Sequence, residues 1–128
     1  MGTLADRRFE MTLRNRVLFG VGEIGRLPEV VAAAGGTRVF VVTDPGVRAA
    51  GIVEPVLDAF EAARLPTATF DEIEPNPAAA TVERGAASLR DFGLAGAVVV
   101  AMGGGSAMDA AKAIDLRAAN DRPDDLAE

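Results

Sequence analysis

Two runs in this chain, Arg38-Val39-Phe40-Val41-Val42-Thr43 and Ala97-Val98-Val99-Val100-Ala101, are apolar without alternation and rich in β-branched side chains. A half-wet strand alternates polar and apolar positions. A short unbroken apolar run is buried on both faces, so both runs predict strands of a parallel sheet covered by helices on either side. Ahead of each run lies a helix-like segment that stops at glycine: residues 27–34 before Gly35-Gly36, and residues 78–92 before Gly93. Glycine takes a left-handed C-cap without a Cβ penalty, so both are read as such caps. Pro28 and Pro77 fall in the first helical turns, where a missing N–H costs nothing, and Asn76 is placed as the N-cap of the second helix. A third helix is predicted over residues 52–63, with a short strand at Thr67-Ala68-Thr69-Phe70 after it.

The order becomes strand, helix, strand, helix, strand, helix. Ahead of it, Phe9-Glu10-Met11-Thr12-Leu13 alternates, Asn15 marks a turn and Arg16-Val17-Leu18-Phe19 returns, which predicts an N-terminal β-hairpin. The fold class is therefore α/β: a three-layer, Rossmann-like parallel sheet behind a hairpin, with the strands at 39–43 and 98–101 both central. A length of 128 residues suits one domain with one core. Only 5% of residues are aromatic, all of them Phe, so that core must be built from small aliphatic side chains. Beyond Ile114 the chain turns polar, through Asn120-Asp121-Arg122-Pro123-Asp124-Asp125.

Composition narrows the chemistry. The chain contains neither Cys nor His, which excludes disulfides, thiol nucleophiles, Ser-His-Asp triads and nearly every zinc site within it. Any general acid or base here must be Asp, Glu or Lys. A formal net charge of −6 argues against nucleic acid or an anionic membrane as partner, because both demand a basic face. The basic cluster Arg7, Arg8, Arg14 and Arg16 reads as a solvated strand face. The longest apolar stretch, residues 95–102, is too short to span a bilayer, and no targeting segment is recognisable, so a cytoplasmic setting is expected.

The sharpest chemical signal follows the second apolar run: Ala101-Met102-Gly103-Gly104-Gly105-Ser106-Ala107-Met108-Asp109-Ala110-Ala111-Lys112. Glycines between a buried strand and a helix let backbone N–H groups approach an anion, and the helix N-terminus adds partial positive charge. This predicts a nucleotide pyrophosphate site. The same residues also spell a Ser-x-x-Asp capping box, Ser106 as N-cap and Asp109 at the third helical position, which explains those two residues but not three glycines. A second pattern, Gly20-Val21-Gly22-Glu23-Ile24-Gly25, is a literal GxGxxG with Asp44 about twenty residues on. Its preceding strand is short, and Pro28 starts the helix after the third glycine, so it is read as a turn leaving the hairpin. Under either pattern Asp44 stands at the carboxyl end of a strand, where it can accept a hydrogen bond from an adenosine ribose.

Taken together, Phe19-Gly20-Val21-Gly22, Val42-Thr43-Asp44, Pro75-Asn76-Pro77 and the Gly103–Lys112 motif resemble the N-terminal domain of the iron-containing (group III, metal-dependent) alcohol dehydrogenases, over nearly the whole chain. Ser106 after the glycines favours the alcohol dehydrogenase and maleylacetate reductase branch over the glycerol dehydrogenase and dehydroquinate synthase relatives. The resemblance implies NAD or NADP across the carboxyl edge of the sheet, with NAD favoured by Asp44. Gly103, Gly104, Gly105 and Ser106 would hold the pyrophosphate, Asp44 the adenosine ribose and Asn76 the adenosine side, while Asp109 would approach the nicotinamide amide. Each has a plainer reading: Asn76 as a helix cap, and Asp109 paired with Lys112.

The resemblance also implies a small alcohol or carbonyl substrate and Fe2+ or another divalent metal held by one Asp and three His of a helical C-terminal half. With no His in this sequence, those ligands are absent here. The expected domain content is thus 1–128 as a partial dinucleotide-binding domain, truncated or split from the helical metal-binding domain and inactive alone. A non-catalytic nucleotide-binding module, a non-functional fragment, a homo-oligomer and a complementing C-terminal chain stay open as alternatives.

Overall fold

The computed structural model describes residues 23–120 of the chain. The expected hairpin lies outside the described residues. A 3₁₀ turn, Glu23–Arg26, runs into α1 (Leu27–Ala33), followed by β1 (Arg38–Thr43), α2 (Pro45–Ala49), α3 (Val53–Ala62), β2 (Thr67–Phe70), α4 (Ala79–Phe92), β3 (Ala97–Met102) and α5 (Gly105–Ala119). The strands form one parallel sheet in the order β2-β1-β3.

Because neighbouring residues of a strand point to opposite faces, β1 feeds two cores at once. Val39 and Val41 pack with Val31 of α1 and with Val53, Val56 and Phe60 of α3. Phe40 and Val42 pack on the other face with Ala86 and Leu89 of α4 and Ala110, Ala111 and Ile114 of α5. This is the three-layer arrangement expected from the unbroken apolar run. The crossover from β1 to β2 carries α3 on one face, and the crossover from β2 to β3, moving the opposite way along the sheet, carries α4 on the other. Crossovers of one hand that reverse direction must change face in this way. Aliphatic side chains and three Phe rings, Phe40, Phe60 and Phe70, fill the core. At Gly85 the helices α4 and α5 approach so closely that an added Cβ would collide with the Ile114 side chain.

Several expectations need correction. Among the described residues the strand at 98–101 stands at the edge and not at the centre: β3 pairs with β1 alone, and Ala97 to Ala101 are half-buried where Val39 to Thr43 of β1 are buried. Its apolar character reflects the helix-covered faces, which look the same in sequence whether or not a further strand adjoins the edge. Asn76 does not cap α4. An N-cap takes extended backbone, whereas Asn76 has φ +52, and α4 starts at Ala79 with Ala78 in the capping position. Pro77 disfavours the right-handed helical conformation at the residue before it, so Pro77 belongs to the loop and not to the first turn. Gly35 does turn left-handed after α1, at φ +83, but Gly93 has φ +115 and ψ +124, outside the left-handed helical region. There the Arg38 guanidinium fills the space beside Gly93 and donates to Phe92 O at 2.6 Å. The short α2 has no precedent in the sequence reading, and α5 continues past Ile114 to Ala119. Among the described residues no helix is long and apolar enough to cross a membrane.

Candidate functional site

In a sheet ordered β2-β1-β3 the chain leaves β1 toward one side and later returns to the other, so the loops after β1 and β3 diverge. Open α/β sheets bind ligands in the crevice that this divergence leaves at the carboxyl ends of the strands. Here that crevice is a cleft of about 580 Å³. Its walls come from the ends of all three strands: Asp44, Pro45 and Gly46 after β1, Glu72 to Pro75 after β2, and Gly104, Gly105 and Ser106 after β3.

The glycine loop has a specific shape. Gly103 has φ +144, and a Cβ there would lie 3.0 Å from Ala107 Cβ and 3.1 Å from Asp44 Oδ2, so only glycine fits. That turn brings Gly104 into extended backbone as the N-cap of α5, and the helix begins at Gly105. The capping box therefore does not form. Ser106 is the second helical residue, Asp109 is exposed one turn further on, and no side chain caps the first N–H groups of α5. Gly104 and Gly105 have nothing within 4 Å of an added Cβ. Uncapped N–H donors beside open space form a cradle that any side chain at 104 would fill.

Asp44 faces this loop from β1. Its Oδ1 accepts from Val47 N at 2.7 Å, capping α2, which leaves Oδ2 on the side of Gly103. Beneath it, the buried Thr43 hydroxyl donates to Met102 O at 2.7 Å, and Thr43 O accepts from Ile73 N at 3.4 Å. The third wall is acidic. Glu72 is ion-paired with Arg84 at 3.1 Å, and the neighbouring Asp71 with Arg48 at 3.0 Å. Hydrogen bonds from its own backbone N–H and from the Thr81 hydroxyl hold the Glu74 carboxyl below the usual range, so it stands as a carboxylate. Among the described residues no cationic side chain lines the cleft. An anion seated there would be held by backbone N–H groups and the α5 dipole, not by side-chain charge.

The structure thus brings together Asp44, Gly104, Gly105 and Ser106, with Gly103 as the turn behind them. Asn76 and Asp109 do not line the cleft, and no ion pair joins Asp109 to Lys112 among the described residues. Of the competing GxGxxG, Gly20 and Gly22 lie outside the described residues. Gly25 sits in the 3₁₀ turn that leads into α1, and the helix begins after it, as Pro28 predicts. The wall from Glu72 to Pro75 was missed as part of the site. The signal that could find it is Pro75-Asn76-Pro77, a stiff segment separated by only four residues from the strand Thr67–Phe70.

Comparison with known proteins gives a consistent picture. Residues 14–128 match the family model described as iron-containing alcohol dehydrogenase. Choline dehydrogenase of Bacillus subtilis (strain 168) is 38% identical over 102 residues, which are 80% of this chain and 25% of that protein. A crystal structure of 1,3-propanediol oxidoreductase superposes with a TM-score of 0.79 at 33% identity, covering 89% of this chain and 29% of the other. Sulfoacetaldehyde reductase from Bifidobacterium kashiwanohense, crystallised in complex with NAD+, superposes with a TM-score of 0.70 at 30% identity, covering 80% and 26%. The chain spans about a quarter of the length of the curated relatives it matches. The parallel three-layer fold, the glycine loop at its carboxyl edge and the family match agree: this chain belongs to the iron-containing alcohol dehydrogenase family.

Proposed function

We propose that this chain forms the pyrophosphate-binding part of an NAD(P)-dependent oxidoreductase that interconverts alcohols and carbonyl compounds. The observation that carries this reading is the convergence, at the crevice between β1 and β3, of an uncapped helix N-terminus, two glycines open to the cleft and the free oxygen of Asp44. In support, one relative of the same fold was crystallised with NAD+.

The residues fit a dinucleotide. The N–H groups of Gly104, Gly105 and Ser106, with the Ser106 hydroxyl, would donate to the pyrophosphate oxygens, and Gly103 provides the turn that aims them. Asp44 Oδ2 would accept from a ribose 2′-hydroxyl. On this reading Asn76, next in sequence to the lining residue Pro75, would meet the adenosine side, and Asp109, one turn along α5, the nicotinamide amide. When bound, the nicotinamide ring supplies the hydride-transfer chemistry. The protein's part here is to position it and to supply a polar, preorganised seat. The residues do not fit the family's metal. The chain has no His, and among the described residues no group of three or more Asp or Glu side chains could hold an ion. The catalytic metal and the substrate pocket belong, on this reading, to the rest of a longer protein or to a complementing chain, and 1–128 is a partial dinucleotide-binding domain.

Asp44 provides the test. Asp44→Asn keeps the oxygen that caps α2 and removes the charge that would repel a 2′-phosphate. It is expected to shift the preference between NAD and NADP toward NADP by about tenfold, or ~1.4 kcal/mol. Asp44→Ala, which also loses the cap, is expected to show the same shift together with about 1 kcal/mol of lost stability. Calorimetric titration with both cofactors measures the shift, and an unchanged preference in both variants would remove Asp44 from the site.

A further inference from the structure

Only two polar side chains among the described residues are fully buried in this apolar core, Thr43 and Thr81, and both are hydrogen-bonded to segments that wall the cleft. Thr43 is the more informative. It ends β1, paired in register with Met102 at the end of β3, and its hydroxyl donates to the Met102 carbonyl at 2.7 Å. The Met102 carbonyl belongs to the peptide whose N–H is that of Gly103, so the bond reaches the first peptide plane of the glycine loop. That peptide is trans and planar, which means that fixing the direction of its C=O fixes its N–H in the opposite sense. The backbone then enters Gly103 at φ +144, and the N–H groups of Gly104, Gly105 and Ser106 follow within one turn. On its other side Thr43 O accepts from Ile73 N at 3.4 Å, on the third wall, and the next residue is Asp44.

We infer that Thr43 is a positioning residue for the anion cradle: its hydroxyl, buried beneath the cleft, sets the plane from which the glycine loop leaves β3. This rests on the dinucleotide reading given above and deepens it. A buried hydroxyl at this position is otherwise hard to explain, since Val at 43 would continue the apolar run with the same shape and no polar atom to satisfy.

The test removes the hydroxyl while keeping the shape. Thr43→Val is expected to weaken NAD binding about tenfold, the equivalent of one lost buried hydrogen bond propagated to the loop. Thr43→Ser, which keeps the hydroxyl, is expected to bind within about threefold of the parent chain. Thr43→Ala, compared with Thr43→Ser, repeats the hydroxyl comparison without a branched side chain and decides the matter should Thr43→Val fail to fold. Val39→Ala, at the far end of the same strand and equally buried, controls for general destabilisation. It is expected to lower the melting temperature yet leave NAD affinity unchanged. Equal affinities for Thr43→Ser and Thr43→Ala, or for Thr43→Val and the parent, overturn the inference while leaving the site intact, as does an equal loss of affinity in Val39→Ala. Failure of the parent chain to bind NAD overturns the reading of the site itself.

Discussion

Phe40→Ala is expected to lower the unfolding free energy by about 3–5 kcal/mol, the largest loss from any single truncation in this core. Phe40 is fully buried at the centre of β1, in a cluster with Val42, Phe70, Leu89, Ala110, Ala111 and Ile114. Its ring lies 6.1 Å from that of Phe92. Most of its other neighbours are small or aliphatic and lie on strands and helices fixed by the sheet, so most of the cavity would remain. Domains of this kind are stable by about 5–15 kcal/mol, so the loss is a large share of the total. Urea unfolding should show a lower midpoint with an unchanged slope. A loss below about 1 kcal/mol would mean that the helices close over the gap and that the sheet is not packed as described.

The second large effect is on binding. Gly104→Val is expected to leave the fold intact and to weaken NAD by at least about 100-fold, or ~2.7 kcal/mol. Two facts make these outcomes separable. Gly104 has φ −88, which valine tolerates, and nothing lies within 4 Å of its added Cβ, so there is no clash to destabilise the empty protein. The branched side chain would project into the cradle, displacing the phosphate from the N–H groups. The positive φ that only glycine tolerates is at Gly103, and a change there would confuse folding with binding. Circular dichroism and a melting curve for Gly104→Val establish the first half of the expectation, and calorimetry the second. A variant that binds NAD as the parent does would move the phosphate elsewhere.

How much of this was legible in the sequence follows from which interactions are local. The described strands and the longer helices are legible, because their apolar spacing is a property of neighbouring residues, whereas the five-residue α2 carries no such pattern. Thr67–Phe70 was placed to the residue, and β3 within one. The edge position of β3 was not legible, since a strand covered on both faces reads alike at the centre and at the edge. The glycine loop is legible, but the alternative of a capping box places the N-cap at Ser106, two residues beyond Gly104. Ser106 and Asp109 satisfy the sequence rule for a capping box, yet the turn at Gly103 starts the helix at Gly105 and leaves no room for it. Asn76 failed for a similar reason, as the prolines around it decide its backbone before any capping preference can. The bond from Thr43 to Met102, and the approach of the acidic segment after β2 to the glycine loop after β3, join residues far apart in the chain. Only the assembled sheet brings them together.

The most direct measurement is an NAD titration of the 15N-labelled chain followed by NMR. If the pyrophosphate sits on the cradle, the amide signals of Gly104, Gly105 and Ser106 shift furthest and saturate together, with Asp44 and Gly103 next, and Gly104→Val abolishes the shifts. Shifts centred on residues 20–25, with those of 103–106 unmoved, would place the phosphate on the other glycine pattern and contradict the assignment.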